Sequence, residues 1–109
     1  MKIDIGQLEF IDKKLRHILT ETEKHFDHEF TITSLYRIAD SGVHGTLPLR
    51  GTDWRDESEE LSLKVREYIN NRWTYDTSRP HLDCCMYHNN RGGGGKHLHI
   101  QVHPGTIEK

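Results

Sequence analysis

Apolar residues recur at helical spacing through the first quarter of the chain, from Gly6 to Asp27. Lys, Glu, Asp and His occupy most of the other positions, so the apolar residues form one stripe along a helix. The stripe consists of Leu8, Ile11, Leu15, Ile18, Leu19 and Phe26. This pattern predicts a long amphipathic helix that packs on a sheet through the stripe.

The composition then changes from that of a helix to that of strands and loops. Residues 30–38 are rich in Thr, Ile, Tyr and Phe, which favours a strand. Residues 39–51 contain Gly, Pro and small polar residues, which is typical of a long loop. We expect a second, short strand at residues 52–55.

A second helix follows this short strand. Asp56 and Glu59 have the spacing of a capping box, in which Asp56 is the N-cap and Glu59 is the third helical residue. Apolar residues then keep a helical period as far as about Trp73. The pattern predicts that this helix also turns an apolar side toward the core.

The C-terminal third of the chain predicts a β-hairpin. A turn at residues 76–80 precedes a strand at 81–88, and a Gly-rich tip at 89–95 leads to a last strand at 97–102. Strands and helices are segregated along the chain, which indicates an α+β fold with two helices packed on one face of an antiparallel sheet. The length of 109 residues predicts a single domain over residues 1–109.

The histidines of the last predicted strand share one face. Successive side chains of a strand point to opposite sides, so polar and apolar residues separate here. One side carries His97, His99, Gln101 and His103, and the other carries Leu98, Ile100 and Val102. In the strand before it, the same alternation predicts Leu82, Cys84 and Met86 at the core, and His81, Asp83, Cys85 and Tyr87 on the histidine side.

A row of imidazoles predicts one wall of a metal site, because imidazole is the commonest side-chain metal ligand. A catalytic zinc takes three protein ligands and keeps one position open. His99 is one candidate ligand. His44 lies in the Gly-rich loop and Asp53 lies on the short strand that follows it, so both can converge with His99 on one point.

Charge and composition exclude several other classes of protein. The net charge of -2 and the pI of about 6.5 give no attraction to nucleic acid or to an anionic membrane, and the arginines are scattered. The N-terminus lacks the pattern of a signal peptide, so we expect cytoplasmic synthesis. Cys84 and Cys85 are adjacent, which favours free thiols in a reducing compartment.

Four short segments occur in an order that resembles a known family. They are residues 33–37 (TSLYR), residues 41–44 (SGVH), Asp53 and residues 97–99 (HLH). This order resembles that of zinc peptidases with the Hedgehog/D-Ala-D-Ala-peptidase fold, which include D-Ala-D-Ala carboxypeptidases, phage endolysins and murein endopeptidase. The similarity extends over roughly residues 30–103.

The resemblance implies a role for five residues. It implies Zn²⁺ bound by His44, Asp53 and His99, with His97 as the general acid and base. It also implies that Arg37 holds the substrate carbonyl or carboxylate and stabilises the oxyanion. The expected activity is that of a metallopeptidase, which hydrolyses peptide bonds in bacterial peptidoglycan with the help of zinc. The protein would reach the cell wall after release by lysis or as part of a phage particle.

A second hypothesis is a non-catalytic module on the same fold, which binds metal or serves as a structural or binding part of a virion. Two departures from the family pattern favour it. The segment between His44 and Asp53 is longer than in the family, and Lys96 stands where other branches have a carboxylate three residues before the last ligand. Metal binding and muropeptide cleavage discriminate between the two hypotheses.

Overall fold

The computed structural model of the chain describes residues 11–36, 49–89 and 95–109. The fold of these residues is α+β, with two helices and a mostly antiparallel sheet, as the sequence predicts. The elements in chain order are α1 (Lys13–Phe26), β1 (Ile32–Tyr36), β2 (Gly51–Arg55), α2 (Glu59–Arg72), β3 (Trp73–Thr74), β4 (Cys85–Asn89), β5 (Lys96–Gln101) and β6 (Ile107–Glu108).

Helix α1 is defined by caps at both ends. The Asp12 side chain accepts hydrogen bonds from two backbone N–H groups of the first turn, at 2.8 and 3.4 Å. Asp27 ends the helix in the left-handed conformation, with φ at 49°. Leu15, Ile18 and Leu19 are buried, so the predicted apolar stripe does face the core. The part of the predicted helix before residue 11 lies outside the described residues.

Ser58, and not Asp56, is the N-cap of α2. The Ser58 hydroxyl accepts a hydrogen bond from the backbone N–H of Leu61 at 3.1 Å. The Asp56 carboxylate instead accepts hydrogen bonds from the Ser62 hydroxyl at 2.7 Å and from the Tyr87 hydroxyl at 2.8 Å. The predicted capping residue is wrong. Asp and Ser are both good N-cap residues, and Asp56 binds the Tyr87 hydroxyl of a distant strand instead of the first turn of the helix.

The main sheet has four strands in the order β1-β2-β5-β4, and each neighbouring pair is antiparallel. Strands β4 and β5 form the predicted hairpin. A separate ribbon pairs β3 with β6, so that Trp73 lies opposite Glu108. This ribbon is not predictable from the sequence, because strands of two residues contain no periodic pattern.

The hydrophobic core lies between the two helices and one face of the main sheet. Trp54, Leu98 and Ile100 are fully buried on that face, and Phe30 stacks on Trp54 with ring centroids 4.3 Å apart. The same cluster includes Leu15, Ile18 and Leu19 of α1 and Val65 and Ile69 of α2. Both helices therefore cover one face of the sheet. Within the described part of the chain, neither helix is long and apolar enough to span a membrane.

The predicted facing of the strand before the tip is wrong by one residue. Strand β4 begins at Cys85, and Cys85 is buried and paired with Ile100, which places it on the core side. Asn70 of α2 accepts a hydrogen bond from the Cys85 N–H at 2.9 Å and donates one to the Cys85 carbonyl at 2.8 Å. These two hydrogen bonds hold Cys85 on the core side, so Met86 and His88 lie on the opposite face of the sheet. Cys84, which precedes the strand, is also buried.

Candidate functional site

We call the helix-covered side of the main sheet the core face and the other side the site face. Residues directly opposite one another in an antiparallel pair point to the same face. The site face carries Asp53 and Arg55 of β2, Met86 and His88 of β4, and His97, His99 and Gln101 of β5. Six of these side chains form two rows across three neighbouring strands, and Gln101 lies beside the first row, opposite Gly51.

The first row brings two of the predicted zinc ligands together. Asp53 lies directly opposite His99 in the register of β2 and β5. The Oδ1 atom of Asp53 is 3.2 Å from Nδ1 of His99 and 3.5 Å from Nε2 of His97. The three side chains are only 12 to 19% exposed, which weakens the screening of their charges by water.

A hydrogen-bond chain orients His99. The Gln101 side-chain amide donates to the backbone carbonyl of Asp83 at 3.0 Å, so its amide nitrogen faces Asp83. Its Oε1 atom therefore faces Nε2 of His99, at 3.1 Å. An amide oxygen only accepts, so this contact assigns the ring proton of a neutral His99 to Nε2. The Nδ1 atom of His99 is then the nitrogen that presents a lone pair to Asp53.

His97 can exchange a proton through one ring nitrogen. Its Nδ1 atom is buried and has no hydrogen-bond partner among the described residues. Its Nε2 atom lies 3.1 Å from Nε2 of His88 and 3.5 Å from the Asp53 carboxylate. Any proton that His97 takes up or releases in this arrangement therefore passes through Nε2.

His88 is a site-face residue that the sequence pattern does not indicate. It lies directly opposite His97 in the β4–β5 register, with ring centroids 4.6 Å apart. Partial desolvation lowers the pKa of His88, the neighbouring His97 and His99 rings lower it further, and Asp53 acts in the opposite direction. The register of the β4–β5 hairpin is the feature that identifies His88 as a site-face residue. The pairing that buries Cys85 opposite Ile100 also places His88 opposite His97.

Arg37 and His44 lie outside the described residues. His103 follows the end of β5, where its Nδ1 atom accepts a hydrogen bond from the Gly105 N–H at 3.0 Å. His81 is exposed in the turn before β4. Neither His103 nor His81 joins the Asp53 cluster.

The Asp53–His99 pair has the spacing of two zinc ligands. Ligands at about 2.0–2.1 Å from a tetrahedral zinc lie about 3.3 Å apart. The 3.2 Å separation of Oδ1 and Nδ1 fits this value. No group of three or more His, Cys, Asp or Glu side chains that could hold a metal ion occurs within residues 11–36, 49–89 and 95–109. The three-ligand site predicted from the sequence requires His44, which those ranges do not include.

Comparisons with protein-family models, with curated proteins and with solved structures find no match to this chain. The resemblance to the zinc peptidases therefore rests on the order of the motifs in the sequence.

Proposed function

We propose that the protein is a zinc-dependent hydrolase that cleaves peptide bonds in bacterial cell-wall peptides, built on the Hedgehog/D-Ala-D-Ala-peptidase fold. The proposal is carried by one observation, the facing of the Asp53 carboxylate and the His99 imidazole across two neighbouring strands at 3.2 Å. His44, which is the remaining donor of the sequence motif, completes the proposed ligand set.

The orientation of His99 favours a cation at this point. With its proton on Nε2, a neutral His99 turns the Nδ1 lone pair toward a carboxylate oxygen. Two electron-rich atoms repel each other at this distance unless a positive species lies between them. A proton would make an ion pair of the two residues, and a metal ion would make both of them ligands. Gln101 then acts as the outer hydrogen-bond partner that metal-bound histidines usually have.

The donor set fits zinc, which binds imidazole nitrogen and carboxylate oxygen. When bound, a zinc ion supplies Lewis acidity that polarises a peptide carbonyl and makes water more acidic. Nε2 of His97 accepts the proton of the attacking water and returns it to the leaving amine, since Nδ1 is buried. Arg37 holds the substrate carbonyl oxygen in this proposal and stabilises its developing charge.

The first experiment is elemental analysis of protein purified without chelator or polyhistidine tag. The wild type should contain about one zinc per chain, because a single site is proposed. His44→Ala and His99→Ala should lose the metal, whereas His81→Ala, which removes an exposed histidine outside the cluster, should keep it. Absence of zinc from the wild type after incubation with zinc would contradict the proposal.

Hydrolysis is tested on purified muropeptides with the same variants. His97→Ala should keep its zinc and lose about 10²–10⁴-fold in rate, the usual contribution of a general base. Loss of zinc from His97→Ala would instead indicate that His97 is a ligand. Equal rates for His97→Ala and the wild type would overturn its role in catalysis.

The non-catalytic alternative is favoured by one observation in the site. Asp53 is the one carboxylate on the site face among the described residues of the main sheet, and it is assigned to the metal. No second carboxylate is therefore available there to assist His97. Zinc binding without cleavage of any muropeptide would support a metal-binding structural module.

A further inference from the structure

Arg55 lies in the second row of the site face, beside the proposed metal ligands. It follows Asp53 by two residues on β2, so both side chains point to the same face. In the strand register, Arg55 is directly opposite His97, and His97 is directly opposite His88. The second row is therefore His88, His97 and Arg55, on three adjacent strands.

The Arg55 guanidinium is available to an external partner. Arg55 is exposed, and it forms no ion pair with any residue of the described ranges. Three other arginines of the described structure form ion pairs: Arg50 with Asp12 at 3.3 Å, Arg72 with Glu21 at 2.9 Å and Arg79 with Asp76 at 2.9 Å. On the site face of the described strands, Arg55 is the residue with a permanent positive charge.

We propose that Arg55 binds a carboxylate of the substrate one or two residues from the bond that is cut. This inference rests on the proposed function, because it places that bond at Asp53 and His99. Residues two apart on a strand are separated by about 6.7 Å. An extended peptide covers the same distance in about two residues, at ~3.3–3.6 Å for each. A guanidinium is suited to this role because it can form two parallel hydrogen bonds with one carboxylate.

Cell-wall peptides offer two sources for such a carboxylate, the chain terminus and an acidic side chain. A terminal source makes the enzyme a carboxypeptidase, and a side-chain source permits cleavage within the peptide. Both sources present the same chemistry to Arg55. Three forms of one synthetic stem peptide separate them: the free peptide, its C-terminal amide, and a form with the side-chain carboxylate amidated.

The test measures peptide binding by NMR chemical-shift titration, with zinc-loaded and zinc-free protein, and so needs no turnover. The wild type should bind the free peptide more tightly than one of the two amidated forms. Arg55→Gln should bind the free peptide roughly 10- to 100-fold more weakly and lose this preference, because it lacks the charged donor. Arg55→Lys should recover part of the affinity. Lys64→Gln, which removes an exposed cation from α2, is the matched control and should bind as the wild type does.

Steady-state kinetics with the same peptides separate this proposal from the proposed function. Cleavage of all three forms with equal KM by the wild type would overturn the role of Arg55 and leave the hydrolase intact. A carboxylate preference that Arg55→Gln abolishes, in a protein that holds no zinc and cuts nothing, would support Arg55 and overturn the hydrolase. Equal binding of the free peptide by the wild type and Arg55→Gln would also overturn the role of Arg55.

Discussion

The two faces of the main sheet use the same strands for opposite purposes. On β5, Leu98 and Ile100 are fully buried under the helices, whereas His97 and His99, which alternate with them, are 12 and 13% exposed on the other side. The core face is held by apolar contacts, and the site face is held by contacts between polar groups. Replacing adjacent residues of one strand should therefore change the free energy of unfolding by different amounts.

This difference indicates that the residues that stabilise the fold are separate from those that form the candidate site. Apolar burial supplies most of the free energy of folding, and it needs no bound ligand. The site face instead places the imidazoles of His97 and His99 beside the Asp53 carboxylate and the imidazole of His88 beside His97, and these are groups that bind protons and metal ions. Variants on the core face should affect unfolding, and variants on the site face should affect metal and substrate.

A substitution on the core face should change the free energy of unfolding most. Leu98 lies between Trp54 and Tyr87 in the strand register and is fully buried. Leu98→Ala should lower the free energy of unfolding by about 3 kcal/mol, because it removes buried methyl groups and leaves a cavity. Urea denaturation followed by far-UV circular dichroism measures this change.

The adjacent site-face residue is the control for this experiment. His97→Ala should change the free energy of unfolding by less than about 1 kcal/mol, because the contacts that it removes are with the polar side chains of His88 and Asp53 and not with the apolar core. A loss as large as that of Leu98→Ala would mean that the histidines stabilise the fold, and the separation of the two faces would be wrong.

The parts of the fold that the sequence predicts are those with a local pattern. The stripe of α1 and the alternation of β5 are repeated over several residues, and both place the expected side chains in the core. The facing of β4 depends on Asn70, which is 15 residues away and clamps the backbone of Cys85. Cys84 and Cys85 are both buried, so buried and exposed residues do not alternate at the start of this strand. The sequence pattern therefore does not predict that His88 lies at the site.

In the candidate site too, residues with a local sequence pattern are predictable and residues placed by distant contacts are not. The motif order indicates Asp53, His97 and His99, and the alternation of β5 also indicates the two histidines. The structure places a ring nitrogen of each histidine within 3.5 Å of Asp53 Oδ1. The role of Gln101 was not found, because it requires the carbonyl of Asp83 to orient the amide. Contacts between backbone and side chain across a sheet leave no periodic trace in a sequence.

The second prediction concerns this orienting residue. Gln101→Ala should lower the affinity for zinc by about 10- to 100-fold, because outer hydrogen-bond partners of metal ligands contribute by that much. Competition with a chromophoric chelator measures the affinity. Asn71→Ala, at an exposed position of α2, should leave it unchanged. Unchanged affinity in Gln101→Ala would show that the amide does not orient a ligand.

A weaker effect should come from the polar contact between Tyr87 and Asp56. The Tyr87 hydroxyl donates to Asp56 at 2.8 Å, and desolvation together with this hydrogen bond raises the pKa of Tyr87 from 10.0 to about 12. The folded state therefore holds this proton more tightly than the unfolded state. The resulting stability is fully present below about pH 10 and is lost as the pH rises toward 12. Urea denaturation between about pH 8 and pH 11 should show a steeper alkaline loss in the wild type than in Tyr87→Phe. The site-face variant His97→Ala should show the same alkaline loss of stability as the wild type. If Tyr87→Phe also lost stability with pH as the wild type does, the contact with Asp56 would not be what retains the proton of Tyr87.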